Sequence, residues 1–520
     1  MSEVTFERCV LAAPPGPTFP DWTEAVRQAL GAEVVHSARH RVVWLDTFDW
    51  RLWRKGFVLE WLGGDGCGDL RLRRIGGCRV EVEVGGVKPP RWPDDLPQAG
   101  LRARLRRMTA PRVLLPVAES RGRRALLRVL GPEDKTVLRL ELRDEAVAGH
   151  PPQRLIQPLP IRGYDRALRG AIQRLRAEFQ AQWAATDPLG LALATLGRAP
   201  GDYSNKLAVR LNPLDRADRA LKKILLHLLD LVERNEPGVR EDLDPEFLHD
   251  YRVSWRRTRS LLSQVKKVLP DEEVARFAAE LRWISGLTSP VRDMDVYLLE
   301  FDGYRESIPA DLRPGLMPLH ALLVEEKRKA HAALARALSS RRYRSFMQAW
   351  RFFLEAPPPA YTPLKNAARP VTEVASRRIW KVFRRVLGQG RTIDDASPPE
   401  DLHELRKTCK KLRYLLEAFA SLYPAEPLQA SIRDLKHLQD NLGEYQDLAV
   451  HAAALGTFRE RLCETAPDPA LTDRAIEALI ESFQRRARQV RQAFADRFAA
   501  FDSKPVRKRF RALFKEDGRA

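Results

Sequence analysis

HDYRVSWRRTR, beginning at His249, and HELRKTCKKLR, beginning at His403, carry a histidine and basic residues at the same offsets, 0, 3, 7, 8 and 10, in stretches 154 residues apart. A second pair of segments keeps that spacing. RDMDV starts at Arg292 and QDLAV at Gln446, so each copy sets an aspartate, Asp293 or Asp447, 44 residues after its histidine. Two motifs in one register indicate a duplicated unit of about 150 residues. From Leu214 onward the apolar residues recur with helical period, with expected breaks at Pro237, Pro270, Pro290, Pro309, the stretch APPPAYTP (356–363), 397–399 and Pro424. This pattern predicts an all-α region of two pseudo-symmetric four-helix bundles, 214–355 and 364–515.

The spacing inside each copy has a physical meaning. At 100° per residue, offsets 0, 3, 7 and 10 fall within about 80° of one another, so His249, Arg252, Arg256 and Arg259 share one helix face. Lys266 and Lys267 extend that stripe in the sequence, to about 27 Å at 1.5 Å per residue. His403, Arg406, Lys410 and Arg413 form the matching stripe, while Arg257 and Lys411 are expected to point away from it, toward a neighbouring groove or water. Like charges one turn apart destabilise the helix that carries them, so a stripe of one sign implies a compensating anion, and its length suits a linear one. Glu417, four residues after Arg413, is placed to neutralise part of the second stripe, and Asp293 and Asp447 read as internal partners for the cations.

The first 160 residues have another texture. RVVWLDTF (41–48), DLRLRRI (69–75), RVEVEV (79–84) and TVLRLELRD (136–144) are short alternating runs bounded by glycine-rich turns, which predicts antiparallel sheet. A helical segment at 163–183 closes this part. The chain is therefore expected to be an α+β multidomain protein: an N-terminal antiparallel, β-rich, tunnel- or barrel-like domain (1–185), a linker (186–213) and the helical region.

The balance of 89 Lys and Arg against 69 Asp and Glu, a formal +20 in 520 residues, points to an acidic partner. No apolar run approaches the length needed to cross a bilayer, so membrane insertion is not expected. The N-terminus lacks the pattern of a secretory signal, which gives a cytoplasmic expectation. Five cysteines, Cys9, Cys67, Cys78, Cys409 and Cys463, without a C-x-x-C pair, argue for free thiols over disulfides or zinc.

The segments HDYRVSWRRTRSLL, LHELRKTCKKLRYLLE and VRDMDVYLLE resemble the signatures of CHAD (conserved histidine α-helical) domains across 214–515. That resemblance implies two pseudo-symmetric four-helix bundles and binding of inorganic polyphosphate, including at polyphosphate granules. It implies His249, Arg252, Arg256, Arg259, His403, Arg406, Lys410 and Arg413 as the phosphate-contacting set. The chain departs from it modestly, with Lys410 and Lys411 opposite Arg256 and Arg257, and Gln446 opposite Arg292. The N-terminal part is similar to CYTH-type (triphosphate tunnel) domains in VVWLDTFDWRLWRKGFVLEW (42–61) and DLRLRR. A working member implies an opening E-x-E-x-K strand that holds Mg²⁺ or Mn²⁺. Here TFERC keeps Glu7 but offers Thr5 and Cys9, so a degenerate domain is expected, with no metal, cofactor or catalytic residue assigned. Glu81, Glu83 and Glu141 fit either a tunnel wall or a solvent face. The rival readings are a nucleic-acid-binding basic protein, with the basic stretch 485–511 as its surface, and a metal-dependent inorganic triphosphatase.

Overall fold

The computed structural model describes residues 10–64, 66–76 and 80–516. Thr5, Glu7, Cys9 and Cys78 lie outside the described residues. The chain divides into two compact units, Met1–Ser204 and Asn205–Ala520.

The first unit runs β1 (Leu11–Ala13), α1 (Phe19–Leu30), β2 (Ala32–Asp46), α2 (Arg51–Arg54), β3 (Phe57–Gly63), β4 (Gly68–Arg74) and β5 (Val80–Val87). It continues through α3 (Ala99–Thr109), β6 (Leu115–Leu130), β7 (Thr136–Val147), β8 (Gln153–Pro160), α4 (Asp165–Glu178), β9 (Gln182–Trp183) and α5 (Pro188–Thr195). The nine strands form one sheet in the order β5-β4-β3-β2-β6-β7-β8-β1-β9, antiparallel throughout. Arg71 on β4 reaches Glu141 on β7 at 3.4 Å although three strands lie between them in the sheet. A flat sheet would hold them about 19 Å apart, at about 4.8 Å per strand, so the sheet curls over on itself and encloses an interior. The alternation of β3 shows its lining: Val58, Glu60 and Leu62 share one buried face. The turn after β2 follows from its Asp-Thr. The Asp46 carboxylate accepts the backbone N–H groups of Thr47, Leu52 and Trp53 at 2.7 to 2.9 Å, which starts α2, and burial pushes its pKa up to about 6. The segment 186–213, expected as linker, contains α5, whose Leu189 and Leu193 are buried with Val42, Trp44, Val58 and Leu62.

The second unit is helical: α6 (Ala217–Arg240), α7 (Pro245–Gln264), α8 (Asp271–Glu306), α9 (Met317–Leu338) and α10 (Arg341–Glu355), then α11 (Val371–Arg391), α12 (Pro399–Ala418), α13 (Ala425–Cys463), α14 (Pro469–Gln492), α15 (Phe494–Phe501) and α16 (Lys504–Arg511). Successive helices pack in the same sequence in both copies, α6 on α7 on α8 on α9, and α11 on α12 on α13 on α14. The copies also share one apolar cluster, in which Tyr297, Phe301, Leu319 and Leu323 of α8 and α9 meet Leu455, Phe458, Ile476 and Phe483 of α13 and α14. Two expected breaks are overturned: Pro237 lies inside α6 and Pro290 inside α8. A proline removes one helical N–H and costs about 3 kcal/mol in isolation, and here helices buried on both sides of it continue. Beside Pro237, Gly238 makes room for the next helix, since a Cβ there would stand 2.3 Å from the Phe247 ring of α7.

Candidate functional site

Helix α7 begins where Asp244 accepts the N–H groups of Glu246 and Phe247, with Pro245 in its first turn. Its apolar residues Leu248, Tyr251, Trp255 and Leu262 are buried, and this orientation leaves the basic stripe for another face. Helix α12 buries Leu405, Cys409, Leu412 and Leu416 in the same manner and packs against α7. The two helices run in the same direction. Their N-terminal parts, His249 and Arg252 with His403 and Arg406, line one cavity of about 490 Å³. Their C-terminal parts line a second of about 610 Å³, and Arg256 borders both.

The smaller cavity mixes charges. Arg252 donates to the hydroxyls of Thr288 and Ser289 on α8 at 2.7 and 3.1 Å, while its counterpart Arg406 pairs with Asp447 at 3.0 Å. His403 Nδ1 lies 2.8 Å from Gln446 Oε1. Burial, then the neighbouring Arg256, pushes Arg252 down to about 10. Burial and Arg292 hold His249 below the usual histidine value, and burial lowers His451. Asp293 is raised by burial, against the pull of Arg252. Tyr297 and His451, whose rings lie 4.5 Å apart, also line this cavity.

The larger cavity is of one sign. Arg256, Arg259, Lys266, Arg282, Lys407, Lys410 and Lys411 line it with one carboxylate, Asp271, which is itself paired with Lys267, while Lys407 pairs with Glu404 outside the lining. Lys410 is pushed down to about 8 by burial, then by Arg406 and Arg256. Among the described residues neither Arg256 nor Lys410 has an ion-pair partner, and the Arg256 Nε is buried with no hydrogen bond. Arg259 donates to the Ser285 hydroxyl at 3.0 Å.

The expected stripe is partly redrawn. Helix α7 ends at Gln264 and Lys267 has φ of 59°, so the 27 Å helical ruler stops short, and Lys266 reaches the cavity from the following turn. Lys411, expected to point off the stripe toward a neighbouring groove or water, lines the larger cavity beside Lys410. Arg257 and Arg413 are drawn off: Glu417 accepts from both, at 2.9 and 2.7 Å, and Arg257 also donates to the Asn205 carbonyl. Arg282 and Lys407 line the cavity without having been singled out, since neither belongs to the repeated stripe. Tyr297 and His451 are 154 residues apart, one position past the paired segments, and the register, carried one residue further, finds them.

The interior of the first unit is charged but balanced. Glu141 meets Arg143, Arg124 and Arg71 at 3.1, 3.2 and 3.4 Å. Glu145 meets His40 and Arg143, and Arg73 stands between Glu60 and Asp187. Glu83 pairs with Arg71 nearer the surface, and Glu81 with Arg74 and Arg104. Among the described residues, Glu60, Glu141 and Glu145 are each paired with one or more arginines. Among the described residues no group of three or more His, Cys, Asp or Glu could hold a metal ion. Glu60 Oε2, Glu141 Oε1 and Asp187 Oδ2 are buried there without a hydrogen bond, each in a carboxylate that lies within ion-pair distance of an arginine. Cys67, Cys409 and Cys463 are free thiols, and no helix among the described residues is long and apolar enough to cross a membrane.

Two uncharacterized proteins of Mycobacterium tuberculosis, from two strains, are each 27% identical over 281 residues, which is 51% of this chain and 52% of theirs. The chain thus spans about half the length of the curated relatives it matches. Among solved structures, the CHAD domain of the plant Ricinus communis is 26% identical with a TM-score of 0.44, covering 59% of this chain and 95% of its own. PptA from Streptomyces chartreusis is 19% identical with a TM-score of 0.40, covering 54% and 99%. The CHAD domain family model matches residues 223–456, the stretch that contains α7, α8 and α12, all of the lining of the larger cavity and all but Phe458 of the smaller. Residues 223–456, within the helical unit, are thus the part of this chain that matches the CHAD domain family.

Proposed function

We propose that this chain binds inorganic polyphosphate along the seam between α7 and α12. The observation that carries the reading is the larger cavity, where seven cationic side chains face one carboxylate already paired with Lys267. A cluster of this kind raises the free energy of the empty protein, and an anion of repeated negative charge relieves it. The two cavities meet at Arg256, so the favoured ligand is elongated. Its oxygens would take forked hydrogen bonds from arginine and point charge from lysine. A CHAD domain is in keeping with this ligand, and residence at polyphosphate granules in the cytoplasm would follow from it. His249, Arg252, Arg256, Arg259, Lys266, His403, Arg406, Lys410 and Lys411, all of which line the two cavities, form the proposed contact set, while Arg257, Lys267 and Arg413 are not among the lining residues.

The test is a titration with long-chain polyphosphate and, in parallel, single-stranded RNA of similar charge at physiological salt. Preference for polyphosphate that disappears in the Arg252→Gln, Arg256→Gln, Arg406→Gln, Lys410→Gln variant supports the reading. Equal or tighter RNA binding replaces it with nucleic-acid binding. For the first unit we propose a structural role in place of triphosphate hydrolysis, because its carboxylates are spent on arginines. Phosphate release from tripolyphosphate in the presence of Mg²⁺ or Mn²⁺ would overturn that.

A further inference from the structure

The duplication makes the two flanks of the seam comparable. On one flank α12 presents Lys407 and Lys411 to the larger cavity, and α11 packs against α12 just beyond. Arg378 and Arg385 sit seven residues apart on α11, hence on one face of it. Arg378 donates to Gln264, the last residue of α7, which places it beside the end of the cavity where Val265 and Lys266 form the wall. Glu404, paired with Lys407, is the carboxylate that faces this flank, against the four cations Lys407, Lys411, Arg378 and Arg385. Lys411 is lowered by burial, then by Arg385 and Lys407, and Arg378 by burial and Arg385. Among the described residues Lys411, Arg378 and Arg385 have no carboxylate in an ion pair with them.

The other flank, reached by subtracting 154, is built differently. Helices α6 and α11 start at Ala217 and Val371, in that same register. Ile224 takes the place of Arg378 and Leu231 that of Arg385, and both are buried in the apolar core. Val253 stands for Lys407, and Arg257, standing for Lys411, is held by Glu417 and the Asn205 carbonyl. Among the described residues, one flank keeps three cations outside any ion pair, Lys411, Arg378 and Arg385, beside the Lys407–Glu404 pair. Its pseudo-symmetric mate is apolar and closed by an ion pair.

We infer that a long polyphosphate chain leaves the larger cavity on one side only, crossing Lys411 to be held by Arg378 and Arg385 on α11. This rests on the polyphosphate reading above and adds to it a subsite that short chains do not reach. The Arg378→Gln, Arg385→Gln protein, titrated with tripolyphosphate and with long-chain polyphosphate over a range of salt, tests it. The expected result is unchanged tripolyphosphate affinity, with long-chain Kd raised about tenfold and the salt slope reduced by about two, one per lost phosphate contact. Unchanged long-chain affinity overturns the exit. Equal loss of both ligands overturns it too, since Arg378 would then act by steadying the end of α7. Removing two exposed cations elsewhere, by Arg497→Gln and Lys504→Gln, should not reproduce the effect; if it does, bulk charge and not a path is responsible. Arg385→Gln alone, which disturbs no hydrogen bond to α7, keeps the test valid should the double variant fold poorly. Wild-type protein that binds neither ligand overturns the polyphosphate reading itself, and the exit with it.

Discussion

The two units bury charge in opposite ways. In the curled sheet, Arg143 lies among Glu60, Glu141 and Glu145. Burial opposes its charge, yet Glu141 and its neighbours raise its pKa, and burial that alone would lift Glu141 is outweighed by Arg143, Arg71 and Arg124, which hold it at about 2. In the helical seam no carboxylate among the described residues forms an ion pair with Lys410 or Arg252, and burial and like-charged neighbours, outweighing Asp447 for the first and Asp293 and Asp295 for the second, push them down to about 8 and about 10. Compensated charge belongs to a core that is complete without a ligand. Uncompensated charge is tolerated only where something else completes it, and the contrast locates the site more sharply than total charge does.

Breaking the balanced network should produce the largest effect. Arg143→Leu leaves Glu141 and Glu145 buried with fewer partners and should destabilise the first unit by about 3–5 kcal/mol, seen as an earlier tryptophan-fluorescence transition in denaturant. An unchanged transition would mean that the network is not compensated as described. The same kind of change in the seam should act in the opposite sense. Arg256→Gln with Lys410→Gln is expected to leave the helical unfolding midpoint unchanged or raised, while weakening polyphosphate binding by about 10- to 100-fold, or about 1.4–2.8 kcal/mol, as measured by calorimetry.

Glu417→Gln sharpens the contrast between the two copies, because it releases Arg257 and Arg413 from their shared carboxylate. A stability loss of about 1–3 kcal/mol with a several-fold gain in polyphosphate affinity is expected, and a loss of affinity would show that the pair shapes the seam instead of masking it. The smallest effect is in pH. Lys410 has a folded value near 8, below its unfolded one, so its charge penalises folding below about pH 8, and the penalty fades as pH rises toward the unfolded value. Lys410→Met should therefore be more stable than wild type at pH 7, with the difference shrinking above pH 8. Binding should take up a proton at this lysine and weaken between pH 7 and 9, and His249 and His451 extend the same trend below pH 8. Equal affinity at pH 6 and pH 8 would remove the histidines from direct participation.

Much of this is written along the chain. His249 and His403, Arg252 and Arg406, and Asp293 and Asp447 are legible because a helical face is periodic and the repeat doubles the signal. Glu417 is legible as a neighbour of Arg413 four residues on, but its bond to Arg257 joins two helices 160 residues apart in sequence, and no local pattern contains it. The parity of β7 gives Glu141 a face without saying which face is inside. The curl that brings Arg71 across to it decides that. Pro237 and Pro290 mislead for the same reason, since packing on both sides of a helix outweighs the local cost of one missing hydrogen bond. Lys411 could be read as facing either a neighbouring groove or water, because a helical wheel knows its own axis and not what packs beside it.

The apolar cluster joining α8 and α9 to α13 and α14 bears on divisibility. Neither repeat can be inherited or expressed alone without exposing Phe301, Leu319 and Leu323, or Phe458, Ile476 and Phe483, to water. The face that each repeat buries on the other is of the kind that otherwise joins two subunits. The two halves of the chain thus meet as the protomers of a pseudo-symmetric dimer would, with the connection between them covalent.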